Sequence, residues 1–175
     1  MKKYIKSILI NLLFLSFIFT SCNINQEEKK DITNDPEKMM VLNKAMIASE
    51  QEDIDEYISR YQYKMEATKT GLNYLHLKEG SGKQPVMNND VTLKYTISLL
   101  DGSYCYSSDS SGLLTFRMGQ SSEPGGLQEG LLLMKEGGSA LFIIPSWLAY
   151  GITGDGNKIG SNQSLVYNVS LIKVK

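Results

Sequence analysis

The residues that could do chemistry in this chain are few, and the most telling are three tyrosines. Tyr95 and Tyr167 lie on the apolar faces of two alternating segments, Val91 to Leu99 and Leu165 to Val174. Tyr150 stands just past Pro145 in the stretch LFIIPSWLAYG, Leu141 to Gly151. Each tyrosine offers a flat apolar ring and one hydroxyl that can donate or accept a hydrogen bond. Such residues can line an apolar pocket with a polar rim. On the residues alone the plainer reading is that all three are core, each hydroxyl satisfied locally.

Other chemistries lack their residues. His76 is the sole histidine, and no Cys/His cluster surrounds it, so a metal or catalytic role has no partners. There is no G-x-S-x-G elbow. The loop GITGDGNKIG, Gly151 to Gly160, is glycine-rich, but no helix follows it and it has no Lys-Ser/Thr pair, which argues against a nucleotide loop. Asp155 and Asn157 alone do not make a calcium loop. Net charge is −1 with no basic block, so nucleic acid is not an expected partner. No cofactor is called for.

The elements that must position the tyrosines can be read in order. Leu141 to Ile144 is a continuous apolar run, which predicts a strand buried on both faces, ended by Pro145. Val91, Leu93, Tyr95, Ile97 and Leu99 alternate with polar residues and predict a half-buried strand, closed by the Asp101-Gly102 turn. Further strands are expected at Leu72 to Leu77, Ser103 to Tyr106, Leu113 to Met118 and Leu165 to Val174. Ser107 to Gly112 is expected as a polar loop. Leu127, Leu131 and Met134 share one face of a short helix, stopped at Gly137-Gly138. Ahead of them, Asn34-Asp35-Pro36 is a helix start. Ile47, Ile54, Ile58, Tyr61 and Met65 then form a helical stripe, interrupted near Ser49 and ended by Gly71. That stripe is expected to pack on the domain that follows; a dimer or partner surface is the other reading. The order of elements gives an α+β class, an antiparallel sheet wrapped over one short helix.

The N-terminus reads as targeting sequence. Lys2, Lys3 and Lys6 precede the apolar run Ile8 to Phe19, which is short for a membrane span and ends in small residues ahead of Cys22. This pattern resembles a bacterial lipobox, with Phe19 where Leu is usual. The expected organisation is a cleaved lipoprotein signal over 1–21, lipidation at Cys22, a flexible tether over 22–35, a helical segment over 36–70 and a domain over 71–175. Cys105 is then left as a single thiol, a Cys22–Cys105 bridge being the lesser option.

LKYTISLLDGSYCYSS, LTFRMG, GGLQEGLLLMKEGGSALFIIPSWLAYG and SLVYNVSLIKVK, in this order, resemble the FKBP-type peptidyl-prolyl isomerase domain. The N-terminal helix, the lipoprotein signal and GDGNKIG resemble its gliding-motility-associated branch. The resemblance implies a five- or six-stranded curved antiparallel sheet around the short helix, with proline docking in an aromatic pocket between them. It assigns catalytic positions to Tyr95, Tyr150 and Tyr167, the Tyr150 hydroxyl binding a ligand carbonyl. It sets Cys105, Tyr106, Leu114, Phe116, Glu123, Pro124, Leu127 and Ile159 around the pocket. Several of these depart from the family pattern: Leu127 replaces a tryptophan floor, Cys105 and Leu114 replace phenylalanines, and Tyr106 replaces an aspartate. Pro124 or a neighbour falls where the family offers a backbone N–H, which proline lacks. The implied function is isomerisation of Xaa-Pro bonds in exported polypeptides at the cell envelope, by a membrane-anchored lipoprotein on the periplasmic side or at the outer membrane, linked to gliding motility and to an envelope assembly partner. The alternative is a non-catalytic peptide-binding, chaperone or structural lipoprotein that keeps the pocket.

Overall fold

The computed structural model describes residues 35–175. The expected signal, Cys22 and nearly all of the tether lie outside the described residues. The first element, α1 (Pro36–Arg60), starts as its sequence predicts. Asp35 Oδ1 accepts the N–H groups of Glu37 at 3.2 Å and Lys38 at 3.4 Å, and Pro36 needs no partner in the first turn.

This helix runs through Ser49 without a break, and it ends at Arg60 rather than near Gly71. The stop is a backbone motif that no Gly or Pro announces. Gln62 takes φ 55°, its N–H donates to Ser59 O at 3.1 Å, and the Tyr63 N–H donates to Ile58 O at 3.1 Å. Those two bonds satisfy carbonyls that a helix end otherwise leaves open.

Seven strands follow in one antiparallel sheet: β1 (Glu66–Ala67), β2 (Asn73–Lys78), β3 (Asp90–Leu99), β4 (Tyr104–Ser107), β5 (Leu114–Arg117), β6 (Ser139–Ile144) and β7 (Leu165–Val174). The strand order is β1-β2-β6-β7-β3-β4, with β5 also on β3. The two-residue β1 was not legible in the sequence. β4 and β5 share one edge of β3. Thr96 to Ser98 pair with β4, and Asp90 to Leu93 pair with β5. Between them the expected polar loop is instead a helical turn, α2 (Ser108–Ser111), because Ser107 Oγ accepts the Asp109 N–H at 2.9 Å and caps it.

β6 is buried on both faces, as its uninterrupted apolar run predicts. Phe142 and Ile144 point into the main core with Leu93, Leu127, Leu131, Leu165 and Tyr167. Leu141 and Ile143 point the other way, against Ile54 and Tyr57 of α1. The helix therefore packs on the sheet through Ile54, Tyr57 and the partly buried Ile58; Ile47 and Tyr61 stay half exposed, so the stripe is narrower than expected.

On the main-core face lies α3 (Gly125–Leu132). It ends before Gly137, yet Met134 is buried beside it in the same core. The helix sits very close to β6. A Cβ on Gly126 would meet Ile144 Cγ2 at 2.4 Å, and one on Gly130 would meet the Phe142 ring at 2.7 Å. Two glycines four residues apart cost helix propensity, about 0.8–1.0 kcal/mol each, and permit that approach.

Candidate functional site

The sheet, α3 and the loop after Tyr150 bring the expected pocket residues together. Cys105, Leu127, Ile159 and Tyr167 are buried in the main core. Tyr95, Tyr106, Leu114, Phe116 and Tyr150 are partly buried against it, so their rings face both core and solvent. Pro124 is buried as the residue that opens α3, and Glu123 beside it is half-buried.

Each tyrosine is held by a local device. Tyr95 falls where β3 has lost its β5 partner and not yet gained β4. Ser108 of α2 fills this gap: its Oγ accepts the Tyr95 N–H at 3.1 Å and donates to Tyr95 O at 3.3 Å. Tyr150 follows the 3₁₀ turn Ser146–Leu148, which Pro145 begins and which Gly151 closes by donating to Ser146 O at 2.8 Å. Tyr167 is the third residue of β7, opposite Ile97 and Phe142.

The Tyr167 hydroxyl is buried and has no hydrogen-bond partner among the described residues. The Tyr150 hydroxyl lies near enough to influence it, but no well-formed hydrogen bond joins the two. Burial pushes the Tyr167 hydroxyl well above the usual tyrosine range, and the neighbouring Tyr150 and Glu123 add to this. Burial likewise raises Tyr150, with the Glu123 carboxylate second. Burial alone raises Glu123. The expected pocket residues thus share one apolar core, with the Tyr150 and Tyr167 hydroxyls and the Glu123 carboxyl close enough to influence one another.

The loop after Tyr150 places Ile159 in the same core. Asp155 organises this loop. Its Oδ1 accepts the N–H groups of Asn157 and Ile159, both at 2.8 Å, and its Oδ2 accepts the Tyr106 hydroxyl. Burial works against the carboxylate, but the bonds from Tyr106, Ile159 and Asn157 outweigh it and hold Asp155 below its usual range. Lys158 Nζ donates to Cys105 O at 2.8 Å and lies 5.2 Å from the Tyr106 ring centroid. Ile159 is thereby fixed in the core. The Asp155 oxygens are thus spent on two N–H groups of the loop and on Tyr106 of β4. Cys105 is buried and has no disulfide partner among the described residues, and burial raises its pKa.

The turn into α3 has its own ties. Gln128 Oε1 accepts the Gly119 N–H at 2.8 Å, and its Nε2 donates to Glu123 O at 2.9 Å. The Glu123 N–H donates to Ser121 Oγ at 3.0 Å, and Pro124 has no N–H. Neither position offers a free backbone donor to a ligand. Sequence reasoning overlooked Ser108, Gln128 and Lys158. Serine, glutamine and lysine are common in turns, and only their three-dimensional partners mark these. His76 is half-buried, with its ring edge-on to Tyr74 at 5.6 Å between centroids.

Residues 81–172 match the family model for the FKBP-type peptidyl-prolyl cis-trans isomerase. A probable FKBP-type peptidyl-prolyl cis-trans isomerase, FkpA, of Neisseria meningitidis serogroup B is 44% identical over 111 residues, 63% of this chain and 40% of that protein. The outer membrane protein MIP of Legionella longbeachae is 36% identical over 107 residues, 61% of this chain and 45% of that protein. This chain therefore spans less than half the length of those relatives. Among solved structures, FkpA from Escherichia coli matches with a TM-score of 0.65 and 28% identity, over 97% of this chain and 82% of that one. With the match covering more than half of its length, the chain belongs to the FKBP-type peptidyl-prolyl cis-trans isomerase family.

Proposed function

We propose that this chain is itself a peptidyl-prolyl cis-trans isomerase acting on unfolded or folding exported polypeptides at the cell envelope. The observation that supports the reading is that Tyr95, Phe116, Leu127, Tyr150 and Tyr167 gather in one core, with the Tyr167 hydroxyl buried and without a well-formed hydrogen bond. Amide resonance sets a barrier of about 18–20 kcal/mol to rotation about an Xaa-Pro bond. An apolar cleft that takes the amide out of water and fits the twisted form better than either planar one lowers that barrier. No nucleophile or base is required. Tyr95, Phe116 and Leu127 supply wall and floor for the proline ring. Tyr150 donates to the carbonyl beside it, and Tyr167 lies beneath. In a peptide exchange assay Tyr150→Phe should lower the rate modestly and Tyr95→Ala more. Native rates in both would mean the pocket lies elsewhere.

The turn into α3 favours a second reading, a peptide-binding protein with little turnover. Pro124 offers no N–H, the Glu123 N–H is already taken, and Leu127 gives a smaller floor than an indole. A proline peptide that binds without measurable exchange would select it.

For the location, the signal-like N-terminus and the lipobox-like Cys22 support a lipid anchor, and a relative bears the name outer membrane protein. Among the described residues no helix is long and apolar enough to cross a membrane. Cys22→Ala should release the protein from membranes, and continued retention would contradict lipidation. A link to gliding motility or to an envelope assembly rests on the sequence resemblance alone.

A further inference from the structure

Two of the three tyrosine-bearing segments meet a single carboxylate that lies outside the pocket and outside the region matched to the family. Glu50, on α1, accepts the Ser146 N–H at 2.6 Å on Oε1 and the Ser146 hydroxyl at 2.7 Å on Oε2. Its Oε1 also accepts the Ser164 hydroxyl. Ser146 and Ser164 are both 5% exposed, so water is a poor substitute for these bonds. Hydrogen bonds to an ionised acceptor are stronger than neutral ones.

The positions of the two serines give the contact its meaning. Ser146 opens the turn that ends in Tyr150, and its carbonyl accepts the N–H groups of Ala149 at 3.0 Å and Gly151 at 2.8 Å. Ser164 immediately precedes β7 and stands three residues before Tyr167. The Asn162 N–H donates to Gly151 O at 2.8 Å and ties the two segments together a second time. Glu50 thus grips the start of the Tyr150 turn and the start of the Tyr167 strand at once.

We propose that Glu50 is a positioning residue for the pocket, holding Tyr150 and Tyr167 in mutual register from α1. This rests on the isomerase reading for its kinetic consequence, but not for its structural one. Docking of the helix does not require Glu50, since Ile54 and Tyr57 already bury themselves against Leu141, Ile143 and Val166. A carboxylate that only docked the helix would affect stability alone. One that positions the tyrosines would change the pocket while the chain stays folded.

The chain carries its own reporter for this difference. Trp147 is the sole tryptophan, follows Ser146 directly and donates its indole N–H to Thr70 O at 3.1 Å. The test compares Glu50→Ala, Glu50→Gln and Ile54→Ala in the full chain, under conditions where each is folded. Three readouts are used: Trp147 fluorescence anisotropy, affinity for a short proline peptide followed by tyrosine ring NMR signals, and kcat/KM in the exchange assay. Glu50→Ala should lower Trp147 anisotropy, weaken peptide binding and reduce kcat/KM about tenfold, as misplacement of positioned groups does. Glu50→Gln, which keeps an acceptor oxygen, should recover part of each. Ile54→Ala should lower the unfolding midpoint and leave all three native. The proposal is overturned if Glu50→Ala keeps native anisotropy and peptide affinity, or if Ile54→Ala reproduces its losses. A native protein without turnover would instead sink the isomerase reading, and anisotropy and affinity would still decide the role of Glu50.

Discussion

The Tyr167 hydroxyl is buried without a well-formed hydrogen bond, the Tyr150 hydroxyl being its neighbour, and a buried polar group left unsatisfied costs about 1–3 kcal/mol in a folded protein. A ring that only filled the core could be phenylalanine at no loss. Tyr167→Phe should accordingly raise stability by up to about 1–3 kcal/mol in urea unfolding. If the hydroxyl serves a bound peptide, the same change should weaken peptide binding. A loss of stability would mean that the hydroxyl has a partner in the free protein. Glu123 makes a second, pH-dependent case. Burial raises its folded-state pKa above the unfolded value of about 4.3, so the folded chain binds this proton more tightly. The stabilising contribution is then complete below the unfolded value and lost as pH rises through the folded one. Glu123→Gln does not titrate. It should gain stability relative to the native protein as pH rises from about 4 to about 7. A difference independent of pH would show that Glu123 ionises as freely in the folded chain as in the unfolded one. At this scale the sequence was informative about types and poor about partners. Tyr95 and Tyr167 stood out as aromatic residues at strand positions, and Tyr150 as one just past the end of a strand. That Asp155 would receive the Tyr106 hydroxyl, or Ser108 serve Tyr95, depends on approaches between residues many positions apart.

Among the elements, those set by periodicity were legible. The alternation in Val91 to Leu99 and the unbroken run in Leu141 to Ile144 gave β3 to within one residue and β6 to within two, because burial on one face or two is written directly in the pattern. The ends of elements set by backbone geometry were not. α1 stops at Arg60 through a left-handed Gln62, and no glycine or proline flags it. α2 forms within SSDSSG because a serine caps it, although serines and an aspartate read equally well as loop. The shared edge of β3 could not be foreseen either, since β4 and β5 are separated in sequence and become neighbours of one strand only through that turn. These less legible pieces bear directly on the site. α2 brings Ser108 to Tyr95, and the close approach of α3 to β6 through Gly126 and Gly130 carries Leu127 into the core beside Tyr167.

In the molecule as a whole, β6 joins two layers. One face packs on α3 and the pocket core, and the other packs on α1. This is why a strand with no polar residue between Ala140 and Ile144 is stable in water, and why a helix ahead of the family domain comes to touch the turn that carries Tyr150. The fold class followed from the sequence because each strand pattern agreed with the next. Catalysis is a narrower claim, because it depends on a few pocket groups rather than on the core. The measurement that tests it most directly is the rate of cis-trans exchange of a short Xaa-Pro peptide, read by NMR exchange spectroscopy with and without the full chain. Exchange well above the uncatalysed rate is expected, scaling with protein concentration and reduced in Tyr95→Ala. Exchange indistinguishable from the uncatalysed rate at high protein concentration, with the peptide shown to be bound, would contradict the claim of catalysis.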